Sequence, residues 1–443
     1  MKTTNKIETT SCTFLQKAIF LGTDEFRHCC YRFYVDGEMK GDVAVFPVET
    51  DQDASLDKVV AAKKNLIEKI NNGEKTECSG CPLLQRKDWM SINDEKFNLI
   101  SIESHSRCNM RCEYCSDTYY DGKEPNYDVL EFIKQFYDHD RIADDLQVSW
   151  GGGEPTLLRG FEKTVDYVTS HIKPKTQRFF SNSIKYSEEI VHLLKENKAS
   201  LTTSIDAGTP ETFKKVRGVN QFEKVLTNIK RYFDASPENV VIQYIFSTEE
   251  NSSWREIRLF TKQILLRGLE KGNFLLSCNF KSEMMTKEIG FKILYTQYLL
   301  IKQGAKTCVL NEHVRPRISK ITYEIIKGDV PDDYPDEILP VIKSIQDFKG
   351  RISNIIIWGA SDYAKFVLDK SETYSDSEVL FFVDSNPKKQ GILFLDKEVK
   401  SPEAVLTSDA PILVAASFWY HEIMEQLVKL GVDEKRVLPN YLI

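Results

Sequence analysis

Between residues 98 and 280 the chain alternates short apolar runs with longer amphipathic stretches. The runs at 98–103, 147–150, 178–180, 201–205, 240–246 and 274–280 are rich in β-branched and aromatic residues, and each reads as a strand. The stretches at 127–143, 187–197, 222–233 and 254–267 carry helical spacing, with Pro125 ahead of the first. This alternation predicts a parallel α/β domain. Ahead of it the pattern predicts a strand at 31–35, a turn at Asp36-Gly37, a strand at 43–48 and a helix at 56–71 ended by Asn72-Gly73. Residues 304–345 are polar and helical in character, with a loop at 329–335, and read as a helical linker or as a cover for the domain before them. At 351 the pattern restarts. It predicts a strand at 354–358, a turn at Gly359-Ala360-Ser361 and a helix at 363–368. Strands at 379–383 and 411–415, a helix at 421–430 and a last strand at 436–438 follow. That is a small doubly wound unit. The expected division is 1–92, 93–303, 304–345 and 346–443.

Composition narrows the class. The 443 residues are 41% hydrophobic and 28% charged, as in ordinary globular proteins. A net charge of −7 gives no electrostatic case for a nucleic-acid binder. The N-terminal segment lacks the apolar core of a signal peptide, and runs such as 18–21 or 412–416 fall far short of the ~20 residues of a membrane span. The expected compartment is a reducing cytoplasm, where the ten cysteines read as ligands rather than disulfides.

The cysteines are not scattered. Cys108-Asn-Met-Arg-Cys112-Glu-Tyr-Cys115 places three thiols in one loop after a strand. Thiolates suit zinc or iron–sulfur clusters. A [4Fe–4S] cluster usually takes four Cys, so three leave one iron open to a small molecule. Zinc with His105 as fourth ligand is the plainer alternative, although structural zinc usually comes as paired knuckles. Further marks fall where strands end. Gly151, Gly152 and Gly153 allow close approach of backbone to a bound molecule, and Glu154 can hold a cation. Asn182 follows the third strand, Ser204 and Asp206 end the fourth, and Arg217 carries a fork suited to a carboxylate. Ordinary readings exist for these too: a tight βα turn at the glycines, and a helix cap at Thr209 with Pro210 after it.

Taken together, Cys108, Cys112 and Cys115 with Tyr114 before the last, the glycine run into Glu154, Ser204-Ile-Asp206 and Val216-Arg217-Gly218 resemble the radical S-adenosylmethionine (SAM) enzymes. The resemblance implies a partial (β/α)6 barrel with ligands at the C-terminal ends of the strands. It implies a [4Fe–4S] cluster on Cys108, Cys112 and Cys115, with SAM on the open iron. Tyr114, Gly152, Gly153, Glu154, Asn182, Ser204, Asp206 and Arg217 would stand around SAM. An external reductant such as flavodoxin or ferredoxin would supply an electron, and SAM would be cleaved to methionine and a 5′-deoxyadenosyl radical.

The N-terminal region holds Cys12, Cys29, Cys30 and the knuckle Cys78-Ser-Gly-Cys81-Pro. With Gly22 these resemble the auxiliary-cluster modules called SPASM or twitch, here placed before the catalytic domain instead of after it. The implied ligands are Cys12, Cys30, Cys78 and Cys81, with Cys29 as the alternative to Cys30. An Fe–S cluster, zinc and free thiols all remain open. Cys278, ending the sixth strand, is either a hydrogen-atom donor or a small buried hydrophobe. Gln243 faces substrate or fills a barrel layer.

The C-terminal unit resembles Rossmann-like domains appended to some sugar-modifying and methyltransferase proteins. Its turn reads Gly359-Ala-Ser361-Asp-Tyr-Ala364, without the middle glycine that meets a pyrophosphate, and Asp362 adds negative charge there. Asp384 is placed to bond a ribose, yet the balance predicts no NAD binding.

The function expected is hydrogen abstraction from a small polar molecule (a sugar, nucleotide-sugar or amino acid) to oxidise, epimerise or rearrange it. An auxiliary cluster favours the oxidoreductase outcome. The alternatives are peptide or protein maturation and, in another class, a non-catalytic Fe–S scaffold or redox sensor, which would need no SAM site.

Overall fold

The structure, a computed structural model, describes residues 6–115, 122–279, 285–311, 314–328, 336–347, 351–416 and 420–438. The chain forms two compact units, Met1–Ser204 with Arg217–Val241, and Ile205–Val216 with Ile242–Ile443.

The strands of the first unit are β1 (Lys6–Ser11), β2 (Ala18–Leu21), β3 (Glu25–Arg27), β4 (Arg32–Val35), β5 (Glu38–Gly41), β6 (Ala44–Pro47), β7 (Gln85–Met90), β8 (Phe97–Ile102), β9 (Ile142–Trp150), β10 (Thr176–Phe180) and β11 (Ala199–Ser204). β11, β10, β9, β8 and β2 pair in that order, all parallel. The register sets Ile102 beside Trp150, Trp150 beside Phe179, and Phe180 beside Thr202. Four strand ends therefore finish at one edge, and the loops that leave them carry the marked residues. Trp150 stacks on Phe179 at 5.6 Å, and its indole N–H donates to Gln177, so this layer is both packed and satisfied.

The N-terminal region is not a separate body. β2 extends the parallel sheet, and β3 and β6 continue it antiparallel. Phe26 of β3 stacks at 4.6 Å on Phe132 of helix Val129–Asp138. β1 pairs with β7, and β4 with β5, outside the main sheet. The helix expected over 127–143 stops at Asp138. A left-handed turn at Asp140 (φ +52°) closes it, and β9 begins at Ile142. Its start is as the sequence demands: the Asp128 carboxylate caps Glu131 N–H at 3.0 Å.

In the second unit β12 (Val240–Phe246) starts at the boundary and β13 (Asn273–Cys278) follows. β13 stops short of the expected 280, a residue outside those described. Helix Lys287–Lys302 then leads into β14 (Thr307–Leu310), parallel to β13. The βα alternation thus runs past residue 303, into the segment expected to be a linker. Helices Arg315–Lys327 and Leu339–Gln346 complete that segment; the loop expected at 329–335 lies outside the described residues. The C-terminal sheet has β15 (Asn354–Trp358), β16 (Glu378–Val383), β17 (Leu393–Phe394), β18 (Lys397–Lys400) and β19 (Ile412–Val414), in the order β17-β18-β16-β15-β19. It is parallel except for the β17–β18 hairpin, which the pattern missed. The expected strand at 436–438 is only a bridge from Val437 to Ile412. Among the described residues the strands close no barrel, as in the partial barrel expected from the sequence.

Candidate functional site

The loop after β8 holds Cys108, Cys112 and Cys115. Cys112 is buried and the other two are half-buried. The loop shapes itself locally: Met110 N–H donates to the Cys108 sulfur at 3.4 Å, and Cys115 N–H to the Cys112 carbonyl at 3.1 Å. Burial raises the Cys108 thiol above its usual range. The Met110 amide, the charge of Arg217 and the Asn182 amide act against that.

The loop after β9 is laced to this one. Gly151, Gly153 and Glu154 donate their N–H groups to the carbonyls of Ile102, His105 and Arg107 at 2.7–2.9 Å. Gly152 has φ +84°, and a Cβ on it would lie 2.9 Å from the backbone of Glu103. A Cβ on Gly153 would lie 2.2 Å from the Arg107 carbonyl oxygen. The close approach these glycines permit is therefore to the cysteine loop itself.

Glu154 is 1% exposed. Its carboxylate accepts from Thr156 N–H, Thr156 hydroxyl, Ser181 hydroxyl and Asn182 N–H at 2.8–3.2 Å. Burial raises its carboxyl above the usual range, and those donors act against the rise only in part. In this structure the Glu154 carboxylate braces the ends of β9 and β10. Asn182, placed by that brace, donates to Asn109 at 2.7 Å and to the Cys108 sulfur at 3.7 Å.

Arg217 is 5% exposed. Its guanidinium donates to the Met110 sulfur at 3.2 Å and to the Tyr114 hydroxyl, and its carbonyl accepts from Arg111 N–H. Next to it Gly218 (φ +73°) leaves no space for a Cβ against Arg111. The fork expected to meet a carboxylate thus grips the cysteine loop from the far side. His105, on the same loop, is 1% exposed with neither ring nitrogen hydrogen-bonded among the described residues, and burial lowers it to about 4.

Ser204 is half-buried at the end of β11. In the second unit Asp206 is fully buried at φ +58°. Its carboxylate accepts from Ile245 N–H at 2.7 Å and its carbonyl from the Asn251 amide at 3.2 Å, so it latches the start of its segment to β12. Cys278 is buried, with its sulfur 3.5 Å from the Arg317 guanidinium; burial raises the thiol and Arg317 lowers it. Asp384 does not face outward for a ribose. It accepts from Ala360 N–H at 3.1 Å and pairs with Lys389 at 2.9 Å, while Lys389 also donates to the Ala360 carbonyl. The turn that would cradle a pyrophosphate is tied down from within.

A second constellation lies in the N-terminal region. Cys12, Cys29, Cys78 and Cys81 line one pocket with His28, and the remaining walls are aromatic and aliphatic. Four segments far apart in sequence meet here. Cys12 caps helix Thr13–Lys17, its sulfur accepting from Leu15 N–H at 3.3 Å. Cys78 and Cys81 sit on a turn closed by Cys81 N–H to the Cys78 carbonyl, with Gly80 at φ +85°. Of the two adjacent thiols, Cys29 borders the pocket and Cys30 does not; Cys30 has an exposed surface, yet burial of its sulfur, before the carboxylates of Glu103 and Asp42, pushes that thiol up to about 12. Burial pushes the Cys78 thiol up to about 12 and Cys81 to about 11. Behind the pocket Lys63 is fully buried and donates to the carbonyls of Leu15 and Ala18 at 3.0 and 2.7 Å. Burial pulls its amine down to about 7, and the charges of Cys12 and Cys29 act to raise it. Sequence reasoning missed Lys63, whose Ala-Ala-Lys-Lys-Asn context reads as a solvated helix face.

The donor sets fit iron–sulfur chemistry at both places: three thiols in a loop held by polar braces, and four thiols around an apolar pocket. Residues 102–260 match the family described as Radical SAM superfamily, and residues 351–438 match one described as C2185-like, N-terminal. GTP 3′,8-cyclase of Haemophilus influenzae is 23% identical over 158 residues, 35% of this chain and 47% of the relative. That of Actinobacillus succinogenes is 24% identical over 151 residues, 32% of this chain and 44% of the relative. The chain thus spans about half the length of the curated relatives it matches. Among solved structures, native anSMEcpe with bound AdoMet and Cp18Cys peptide covers 53% of this chain and 67% of its own at 18% identity, with a TM-score of 0.38. Streptococcus suis SuiB covers 60% of this chain and 65% of its own at 13% identity, with a TM-score of 0.39. Over residues 102–260 the chain is thus similar to the radical SAM superfamily, whose enzymes use a [4Fe–4S] cluster and SAM.

Proposed function

We infer that the chain is a radical SAM enzyme with an N-terminal auxiliary iron–sulfur centre, and that it oxidises or rearranges a small polar molecule. The observation that carries this reading is the cysteine loop, in which Cys108, bonded by Asn182, sits between the Glu154 brace and the Arg217 clamp. Cys108, Cys112 and Cys115 would hold the catalytic cluster. When bound, that cluster and SAM supply a hydrogen-abstracting radical. The chain's own residues position and shield. Asn182 offers its amide to the Cys108 sulfur, Arg217 with Tyr114 fixes the loop's shape, and Glu154 ties the ends of two strands behind it. Ser204 is the half-buried polar group at the neighbouring strand end, suited to a SAM hydroxyl or carboxylate.

At the N-terminal pocket Cys12, Cys29, Cys78 and Cys81 border one space. A polynuclear cluster held there would take its four ligands from these thiols. Four thiols satisfy such a cluster completely, which suits electron transfer rather than substrate binding. The small-substrate reading is supported by GTP 3′,8-cyclase, whose name gives a nucleotide as its substrate.

An external reductant such as flavodoxin or ferredoxin completes the system. Anaerobically reconstituted protein, reduced and given SAM, should form 5′-deoxyadenosine; absence of any cleavage would overturn the enzyme reading. A metabolite comparison between cells with and without the gene should then show a changed small molecule. A changed peptide instead would move the assignment to peptide maturation.

A further inference from the structure

We propose that Lys63 is the built-in counter-charge of the N-terminal four-thiol pocket and raises the reduction potential of the centre held there. The proposal rests on reading that pocket as an iron–sulfur site. Lys63 is fully buried in helix Leu56–Asn71, and its ammonium is fixed by two carbonyls, those of Leu15 and Ala18. Both belong to the segment that begins at Cys12, so the charge cannot swing away from the pocket. Beside those two carbonyls the amine has the Phe97 ring, 5.6 Å from its nitrogen. The negative groups that act on it are the thiols of Cys12 and Cys29. Burial disfavours the charge on this amine, and anions beside it restore the charge. Thiolates bound in a cluster are the counter-ions this pocket offers. His28, on the pocket wall, is kept neutral by burial and by the charge of Lys63, and adds no second positive charge.

The consequence for the centre follows from charge alone. Reduction adds one electron, hence one negative charge, to a site already negative. A fixed positive charge in low dielectric lowers the cost of that step. Charge, hydrogen bonding and burial around a cluster are the recognised controls of its potential.

The test uses the full chain as wild type, Lys63→Met, Lys63→Gln and Cys78→Ser/Cys81→Ser, reconstituted anaerobically. Iron content, circular dichroism and EPR-monitored redox titration are measured on each. Wild type should bind about eight irons and the double Cys variant about four. Both Lys63 variants should keep about eight irons while the auxiliary signal moves to lower potential. A tenfold change in the reduced-to-oxidised ratio, about 59 mV for one electron, is expected, with the catalytic signal unmoved. Lys63→Gln retains hydrogen-bond donors for the two carbonyls, so it serves if Lys63→Met fails to fold. Titrations that superimpose on wild type would overturn the role of Lys63 and leave the pocket reading intact. Loss of the auxiliary irons in both variants, with the fold preserved, would make Lys63 a structural element and equally overturn the proposal. About four irons in wild type would instead overturn the pocket reading, and the Lys63 proposal with it.

Discussion

The two cysteine sites of the first unit solve opposite problems. The loop at 108–115 gathers three thiols within one turn of chain and surrounds them with polar braces from neighbouring strand ends. The N-terminal pocket gathers four thiols from segments nearly seventy residues apart and surrounds them with aromatic and aliphatic side chains and one buried ammonium. Three donors leave a place for a small molecule; four do not. Polar surroundings can orient a ligand, whereas an apolar pocket with a fixed charge tunes a centre that exchanges only electrons. Under the proposed function, the contrast assigns chemistry to the first site and electron transfer to the second.

The contrast can be broken at the brace. Gly153→Ala drives a Cβ into the Arg107 carbonyl, and Asn182→Ala removes the amide on Cys108. Each should lower SAM cleavage about 10–100-fold while the auxiliary EPR signal keeps its intensity. An equal loss of both signals would show that the sites are not independent.

A smaller effect concerns the second unit. Ser319 on helix Arg315–Lys327 bonds Ser371 at 2.7 Å, Thr373 donates to the Ser319 carbonyl, and Arg315 bonds the Tyr363 hydroxyl. The segment expected to be a linker therefore caps the C-terminal sheet domain. A fragment 346–443 leaves these groups uncovered and should be less stable than 304–443 by ~3 kcal/mol in urea unfolding, at about 1 kcal/mol per bond. Equal midpoints would restore the linker reading.

The smallest effect is one of pH. His105 sits at about 4 in the folded chain and near 6.5 when unfolded. Between those values the unfolded chain binds more protons, so stability falls as pH drops from about 6.5 to 4 and levels off below. His105→Gln should remove about 2 kcal/mol of the loss at pH 5. An unchanged acid slope would mean that another group carries it.

The reading of the sequence succeeded where structure is local. The spacing of Cys108, Cys112 and Cys115, the glycine run, the strand ends at 150 and 180 and, to within one residue, that at 204 are all legible in short windows. It failed where tertiary context decides. Ala18–Leu21 is too short to announce a strand, yet it borders β8. Cys29 and Cys30 are adjacent and chemically identical, and only the packing of Phe33, Val43 and Leu84 chooses between them. The resemblance implies Glu154 and Asp206 around SAM, and position along the chain suits Asp384 to a ribose, but neither shows which hydrogen bonds those side chains make. Backbone N–H groups claim part of each carboxylate, and a buried donor without a partner costs as much as a lost bond.

The most direct test of two independent sites is the iron content and SAM cleavage of Cys112→Ala beside Cys78→Ser/Cys81→Ser, both reconstituted anaerobically. The account expects about four irons in each, with 5′-deoxyadenosine absent from the first and formed by the second. Cleavage by Cys112→Ala, or wild-type iron content in the double variant, would contradict it.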